Sequence, residues 1–199
     1  THFTESSNVK RRRLYPHSTL LSTFSHQSWQ HFFGNMYAIT SFIPGIVRIL
    51  GNRKFSYFYI SSAYGSNWIG NWIAECFSVN GRPRSGSGAS GILSSMMAYY
   101  CLSFPKAEIA YGSPIGLSVG VKAPVAALAW LLQEMIDLEG SDGIGHGVHR
   151  GGFAFGAAVW AFGILWNHWV LPIKTVMKNL KANVKAKRER KKEQQARKQ

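Results

Sequence analysis

A chain of 199 residues suits one domain. Its 46% hydrophobic content and mean hydropathy of −0.08 do not by themselves mark a membrane protein. The formal net charge of +14 raises nucleic-acid binding, but no recognition motif accompanies the basic residues. Cys76 and Cys101 stand at no metal-ligand or redox spacing, which argues against thiol chemistry and suggests packing roles.

The distribution of charge says more than its mean. No Asp, Glu, Lys or Arg occurs from Leu14 to Val47, Phe55 to Ala74, Ser85 to Pro105 or Gly151 to Ile173. A bilayer span needs roughly 20 mostly apolar residues, and each window reaches about that length. A soluble protein with buried helices is the weaker reading, because soluble helices this long carry charges along an outer face. The expected fold is all-α, a polytopic membrane helical bundle with about five transmembrane helices.

In chain order, residues 1 to 28 are polar and rich in Ser and Thr, and read as a loop outside the membrane with partial helix. The Lys10 to Arg13 run is basic. The chain begins with Thr and shows no signal peptide, which reads as a fragment or a processed form. A first helix is expected from about Trp29 to Leu50, with a kink at Pro44-Gly45 and an end at Gly51-Asn52. A second spans about Phe55 to Phe77. A turn-rich loop runs from Asn80 to Gly86, and a third helix from about Gly88 to Phe104, where Pro105 stops it. Residues 106 to 120 are ambiguous. Gly112, Gly116 and Gly120 recur at close-packing spacing, while Pro114 and polar neighbours argue for an extended segment. A fourth helix is expected from about Val121 to Leu138 with Pro124 in its first turn, then a loop at Gly140 to Gly145, and a fifth helix from His146 to about Leu171. The membrane domain is thus 29–172. Residues 173–199 form a basic polar tail, with eleven Lys/Arg against two Glu after Ile173. Such a tail after an apolar span suits anionic lipid headgroups.

Two of these helices carry matching chemistry. On the third, Ser90, Ser94 and Ala98 share a face that Gly91 widens, and Gly88 stands just before it. On the fifth, His149, Gly152 and Gly156 share a face. Small residues let helix backbones approach closely in lipid, so docking these faces would set Ser90 beside His149. Packing alone explains the glycines but leaves a histidine in an apolar stretch, where ionisable residues are costly and usually functional. Serine needs a base to become a nucleophile, and histidine suits that role near neutral pH. Asp142 lies in a loop and no acid evidently completes a triad, so a two-residue dyad with a histidine held by packing is expected. His31 and Asn35, one turn apart, are candidate donors to a developing oxyanion. A helix–helix hydrogen bond for Asn35 and an interfacial place for His31 are equally open. The Ser90 backbone N–H is a further donor. His31, His146 and His149 could gather around a metal, but no acidic or thiol ligand stands at a familiar spacing, so no metal and no cofactor is expected. His26 and His168 suit a membrane–water boundary.

Taken together, His31 with Asn35, then Gly88-Ala89-Ser90-Gly91, then His149 with Gly152 and Gly156 resemble the rhomboid family of intramembrane serine proteases. The stretches Leu20 to His26 and Asn35-Met36-Tyr37 are similar to the family's mitochondrial, presenilin-associated branch. The resemblance covers about residues 20 to 172. It implies a Ser90–His149 dyad, oxyanion stabilisation by His31 and Asn35, and cleavage of transmembrane segments of other proteins. It also implies a place in the mitochondrial inner membrane, and a lateral gate at the helix of about 121–138. The family core has six helices, so the sixth would precede residue 1. Gly145 stands where mitochondrial members often have an acid, Arg150 where an apolar residue is usual, and Ser94 where bacterial members often stack an aromatic ring on the histidine. A catalytically inactive relative that binds membrane helices is the alternative, and a channel or transporter lined by His31 and His149 a further one.

Overall fold

The computed structural model describes residues 17–26, 28–77, 89–112, 118–136 and 146–196. Helices dominate it: α1 (His17–Leu21), α2 (29–50) and α3 (52–77), which together form the helical run Trp29–Phe77, then α4 (Ser90–Ser103), α5 (Ala123–Ile136), α6 (His146–Leu165) and α7 (Leu171–Ala196). Gly51, with φ 73° and ψ 160°, separates α2 from α3. That backbone conformation lies open to glycine and strains other residues, so the Gly51-Asn52 stop expected from the sequence falls where the chain breaks. A 3₁₀ turn (Ser22–Phe24) follows α1, and a π turn (Trp166–Val170) joins α6 to α7. The fifth helix therefore ends as a regular α-helix at Leu165, short of the expected Leu171.

The ambiguous stretch is a hairpin. β1 (Glu108–Gly112) pairs antiparallel with β2 (Ser118–Lys122), and Glu108 lies opposite Lys122. The extended reading holds and the glycine-repeat helix does not. Val121 and Lys122 belong to β2, so α5 starts two residues later than expected. Ala123 N–H donates to Ala107 O at 2.9 Å, tying the start of α5 to the hairpin.

Residues 1–160 and 161–199 form two compact units. In the first, α4 is the centre. Ile92, Met96 and Tyr99 share its buried face with Gly91, Ser94 and Ser95 also enclosed. At 14 residues it measures about 21 Å, less than a hydrocarbon core of about 30 Å. A helix enclosed by protein need not meet lipid along its length. Phe42 and Gly45 of α2 pack on Tyr100, Phe58 of α3 on Tyr99, and Ser66 of α3 faces Gly91. α3 therefore runs antiparallel to α4. Its buried amides are satisfied locally, Asn67 Nδ2 donating to Ala63 O at 2.8 Å and Asn71 Nδ2 to Asn67 O at 2.7 Å. In a medium without water such back-bonding removes unpaired polar groups.

The outer surface carries what a soluble protein hides. Trp29, Phe33 and Tyr37 on α2, Trp68 and Trp72 on α3, and Val125, Leu128, Leu132 and Met135 on α5 are exposed. The stretches Trp29–Ile73 and His146–Asn183 are long and apolar enough to cross a bilayer. Residues 18, 19, 22 and 23 are buried, so the end of the expected N-terminal loop packs on the bundle. Ser22 Oγ and Thr23 Oγ1 donate to Thr19 O and Leu20 O, closing its turns. Cys101 is buried as expected, but Cys76 is exposed and is not a packing residue.

Candidate active site

Glycines set the spacing on which the site depends. A Cβ on Gly152 would strike the Gly91 carbonyl oxygen of α4, and one on Gly156 the Ser95 carbonyl. A Cβ on Gly151 would strike the α3 backbone at Ser66 and Gly70. α6 is thus wedged between α3 and α4 with backbone against backbone. Ser95 Oγ donates across the seam to Gly152 O at 2.9 Å, and Ser94 is buried against Gly152. The pairings 148 with 91, 152 with 91 and 94, and 156 with 95 make α4 and α6 parallel. Their N-terminal ends therefore coincide.

Ser90 is the first residue of α4, and His149 lies in the first turn of α6. Their side chains meet, with Ser90 Oγ and His149 Nε2 2.7 Å apart. The Ser90 N–H is among the first groups of its helix, which have no intrahelical partner and sit at the positive end of the dipole. Gly88 and Asp142 lie outside the described residues.

A carboxylate stands behind the Ser90–His149 contact. His149 Nδ1 lies 3.0 Å from Glu134 Oε1, and His146 Nδ1 lies 2.8 Å from Glu134 Oε2. Glu134 and His146 are buried, and the His149 side chain is 13% exposed. An ionised carboxylate only accepts, so with Glu134 ionised each contact requires a proton on the histidine Nδ1. His149 then presents a bare Nε2 to the Ser90 hydroxyl, which donates to it. The histidine is thus held by a carboxylate and not by packing alone. The Trp130 ring also lies 6.0 Å from that of His149, tilted against it, and stacks on Phe153.

Sequence reasoning missed Glu134 because it stands 15 residues from His149 on another helix. The available signal was an acid in a largely apolar stretch, where an ionisable group is costly. Glu134, His146 and His149 also place three ligand atoms within 4.8 Å of one another. This is a donor set a metal ion could use, and it contains the acidic ligand that was missing from the His31, His146 and His149 trio weighed from the sequence.

His31 and Asn35 lie one turn apart on α2, whose start is capped by Ser28 Oγ accepting the His31 N–H at 3.1 Å. The His31 ring meets the His26 ring edge-on at 5.3 Å and lies within electrostatic reach of His149. Asn35 is buried, and its Nδ2 has no hydrogen-bond partner among the described residues. Among the described residues that N–H makes no helix–helix hydrogen bond, which was one reading of the sequence. A buried donor without a partner is costly and points to a function for the unfilled bond. Arg150 leans back to its own helix, Nε donating to His146 O at 3.3 Å.

Comparison with known proteins matches residues 13–167 to the Rhomboid domain family. The chain is 33% identical over 152 residues to the "Presenilin-associated rhomboid-like protein, mitochondrial" of Rattus norvegicus, covering 75% of this chain and 39% of that protein. It is 32% identical over 161 residues to the Homo sapiens protein of the same name, with the same coverage. It is 31% identical over 172 residues to the "Presenilin-associated rhomboid-like protein A, mitochondrial" of Danio rerio, covering 81% and 40%. The chain spans about two fifths of the length of these relatives.

Proposed function

This chain belongs to the rhomboid family, and from that premise we propose that it is a serine endopeptidase that cuts transmembrane segments of other membrane proteins through an acyl-enzyme. It is a mitochondrial integral membrane protein, and the inner membrane is its proposed compartment. The observation that carries the proposal is the 2.7 Å contact between Ser90 Oγ and His149 Nε2 at the shared N-terminal end of two docked helices.

A substrate helix unwinds locally at the site, because helical peptide bonds are shielded by their own hydrogen bonds. Ser90 Oγ attacks the exposed carbonyl carbon while His149 Nε2 takes the hydroxyl proton. The negative charge that develops on the carbonyl oxygen is met by the Ser90 N–H, the Asn35 amide and His31. The C–N bond then breaks, His149 Nε2–H protonates the leaving amine, and an acyl-serine remains. Water, deprotonated by His149, attacks that ester, and the second fragment leaves as a carboxylic acid with Ser90 restored. The apolar outer face of α5 suits a lateral gate in lipid. The membrane domain is proposed as 29–172, preceded by an extramembrane segment. Its basic tail, from 173 onward, lies against anionic lipid.

Cleavage of a reporter membrane helix by proteoliposomes tests the proposal. Ser90→Ala and His149→Ala should each abolish cleavage, and full activity in either would refute it. A fluorophosphonate probe should label Ser90 in the native protein. A family member that only binds helices would not react.

A further inference from the structure

Resting on that reading, we propose that Glu134 is a positioning residue, the hub of a four-residue relay Ser90–His149–Glu134–His146 that makes the serine–histidine pair a carboxylate-supported one. Glu134 lies on the inner face of α5 with Ala123, Ala127 and Trp130, while Val125, Leu128, Leu132 and Met135 are exposed. Among the described residues it pairs with no Lys or Arg, and its two oxygens go to two imidazoles.

Each contact has a consequence for proton transfer. The bond to His149 Nδ1 fixes the tautomer, so the bare Nε2 faces Ser90 Oγ at 2.7 Å. When Nε2 takes the serine proton, the ring becomes a cation 3.0 Å from the carboxylate. That attraction is strong in a low-dielectric site and is stronger in the transition state than before it. The bundle needs such a counter-charge. The parallel N-terminal ends of α4 and α6 both turn positive potential on this spot, which favours an oxyanion but disfavours an imidazolium. Glu134 offsets that. His146, one turn before His149 on α6, donates to the second oxygen at 2.8 Å. This second donor fixes the plane of the carboxylate and so holds its other oxygen on His149 Nδ1. A simple tie between α5 and α6 would need one of these bonds. The observed arrangement uses both oxygens and both Nδ1 atoms.

The test compares Glu134→Gln with the native chain in proteoliposomes. The amide oxygen can accept from His149 Nδ1, and the amide NH2 can donate to His146 Nδ1 once that ring carries its proton on Nε2, so the contacts to both rings survive while the charge is removed. kcat should fall by about 10²- to 10⁴-fold with KM unchanged, and fluorophosphonate labelling of Ser90 should slow in parallel. A merely structural role predicts a lower melting midpoint with the kcat of the folded fraction unchanged, and that result overturns the relay. Should Glu134→Gln fail to fold, ring ¹⁵N signals of His149 in the native protein decide. Nδ1 protonated and Nε2 bare is expected, and the reverse overturns the proposal. Loss of cleavage in Ser90→Ala beside unchanged kcat in Glu134→Gln would sink the relay alone. Absence of cleavage and labelling in the native protein would sink the proteolytic reading, and the ¹⁵N signals would still test the tautomer.

Discussion

Gly152→Ala isolates the role of backbone contact between α4 and α6. A Cβ at this position would sit 3.0 Å from Ser94 Cβ and 3.1 Å from the Gly91 carbonyl carbon, and closer still to the Gly91 oxygen. Ordinary contact starts at 3.4 Å. The helices must part by roughly 0.3–0.4 Å to clear the carbons and by about 1 Å to clear the oxygen. Neither obstacle is a side-chain tip that could rotate away. Gly91 follows Ser90 directly, and Gly152 lies one turn from His149. A retreat of about 1 Å would stretch the 2.7 Å Ser90–His149 contact beyond hydrogen-bond range. Misplacement on that scale costs about 10²-fold in rate. Overpacking should also cost about 1–3 kcal/mol, more than the ~0.5–1 kcal/mol that alanine gains over glycine in a helix. Gly163→Ala is the matched control, since nothing lies within 4 Å of its new Cβ. Cleavage of a reporter helix, with kcat and KM separated, and a thermal midpoint in detergent should show Gly152→Ala slow and less stable. Gly163→Ala should be fully active and slightly more stable. If both variants behave alike, close backbone packing does not set the site.

Asn35→Ala should lower kcat by about 10²- to 10³-fold with little change in KM. Its melting midpoint should hardly move, because Nδ2 has no partner to lose among the described residues. A lowered midpoint with normal kcat would make Asn35 a packing residue instead. In the hairpin, the hydrogen bond and charge of Lys122 hold the Glu108 carboxyl below its ordinary value of 4.5. A depressed folded-state value means that this pair supports the hairpin above the ordinary carboxylate range and stops doing so as pH falls through the depressed value. Lys122→Met should raise the Glu108 midpoint in an NMR titration, and an unmoved midpoint would show that the 2.8 Å contact is not made in solution. On α7, Ile173, Val176, Met177 and Leu180 form an exposed apolar stripe beside Lys174, Lys178 and Lys181, a pattern suited to the headgroup plane. Amide exchange along α7 should slow in anionic relative to zwitterionic proteoliposomes, and the difference should vanish at high salt. Equal exchange in both lipids would refute the lipid contact.

Much of the helical plan was legible because charge-free windows and small-residue faces are local signals. Gly51 and Pro105 mark breaks through their own backbone preferences, and the Gly152 and Gly156 face predicts its partner because small residues are informative wherever helices touch. The hairpin was less legible. Gly112, Gly116 and Gly120 satisfy a helical packing pattern, and only the β1–β2 pairing with Glu108 opposite Lys122 decides between the two readings. Pairing across a loop is not a property of either strand alone.

The carboxylate was the least legible part of the site, and the reason is geometric. Ser90, Gly91, His149, Gly152 and Gly156 show their chemistry through spacing within one helix. Glu134 meets His149 only because α5 runs antiparallel to α6, so that its last turn reaches the first turn of α6. In sequence it sits near Asp137 and Glu139, where it reads as the charged edge of a span. Burial distinguishes it, since its side chain is only 9% exposed. A buried acid that pairs with no Lys or Arg among the described residues must find donors elsewhere, and here the donors are two imidazoles. Searching an apolar helix for one such acid, and a neighbouring helix start for two histidines a turn apart, is how this arrangement could be found in related chains.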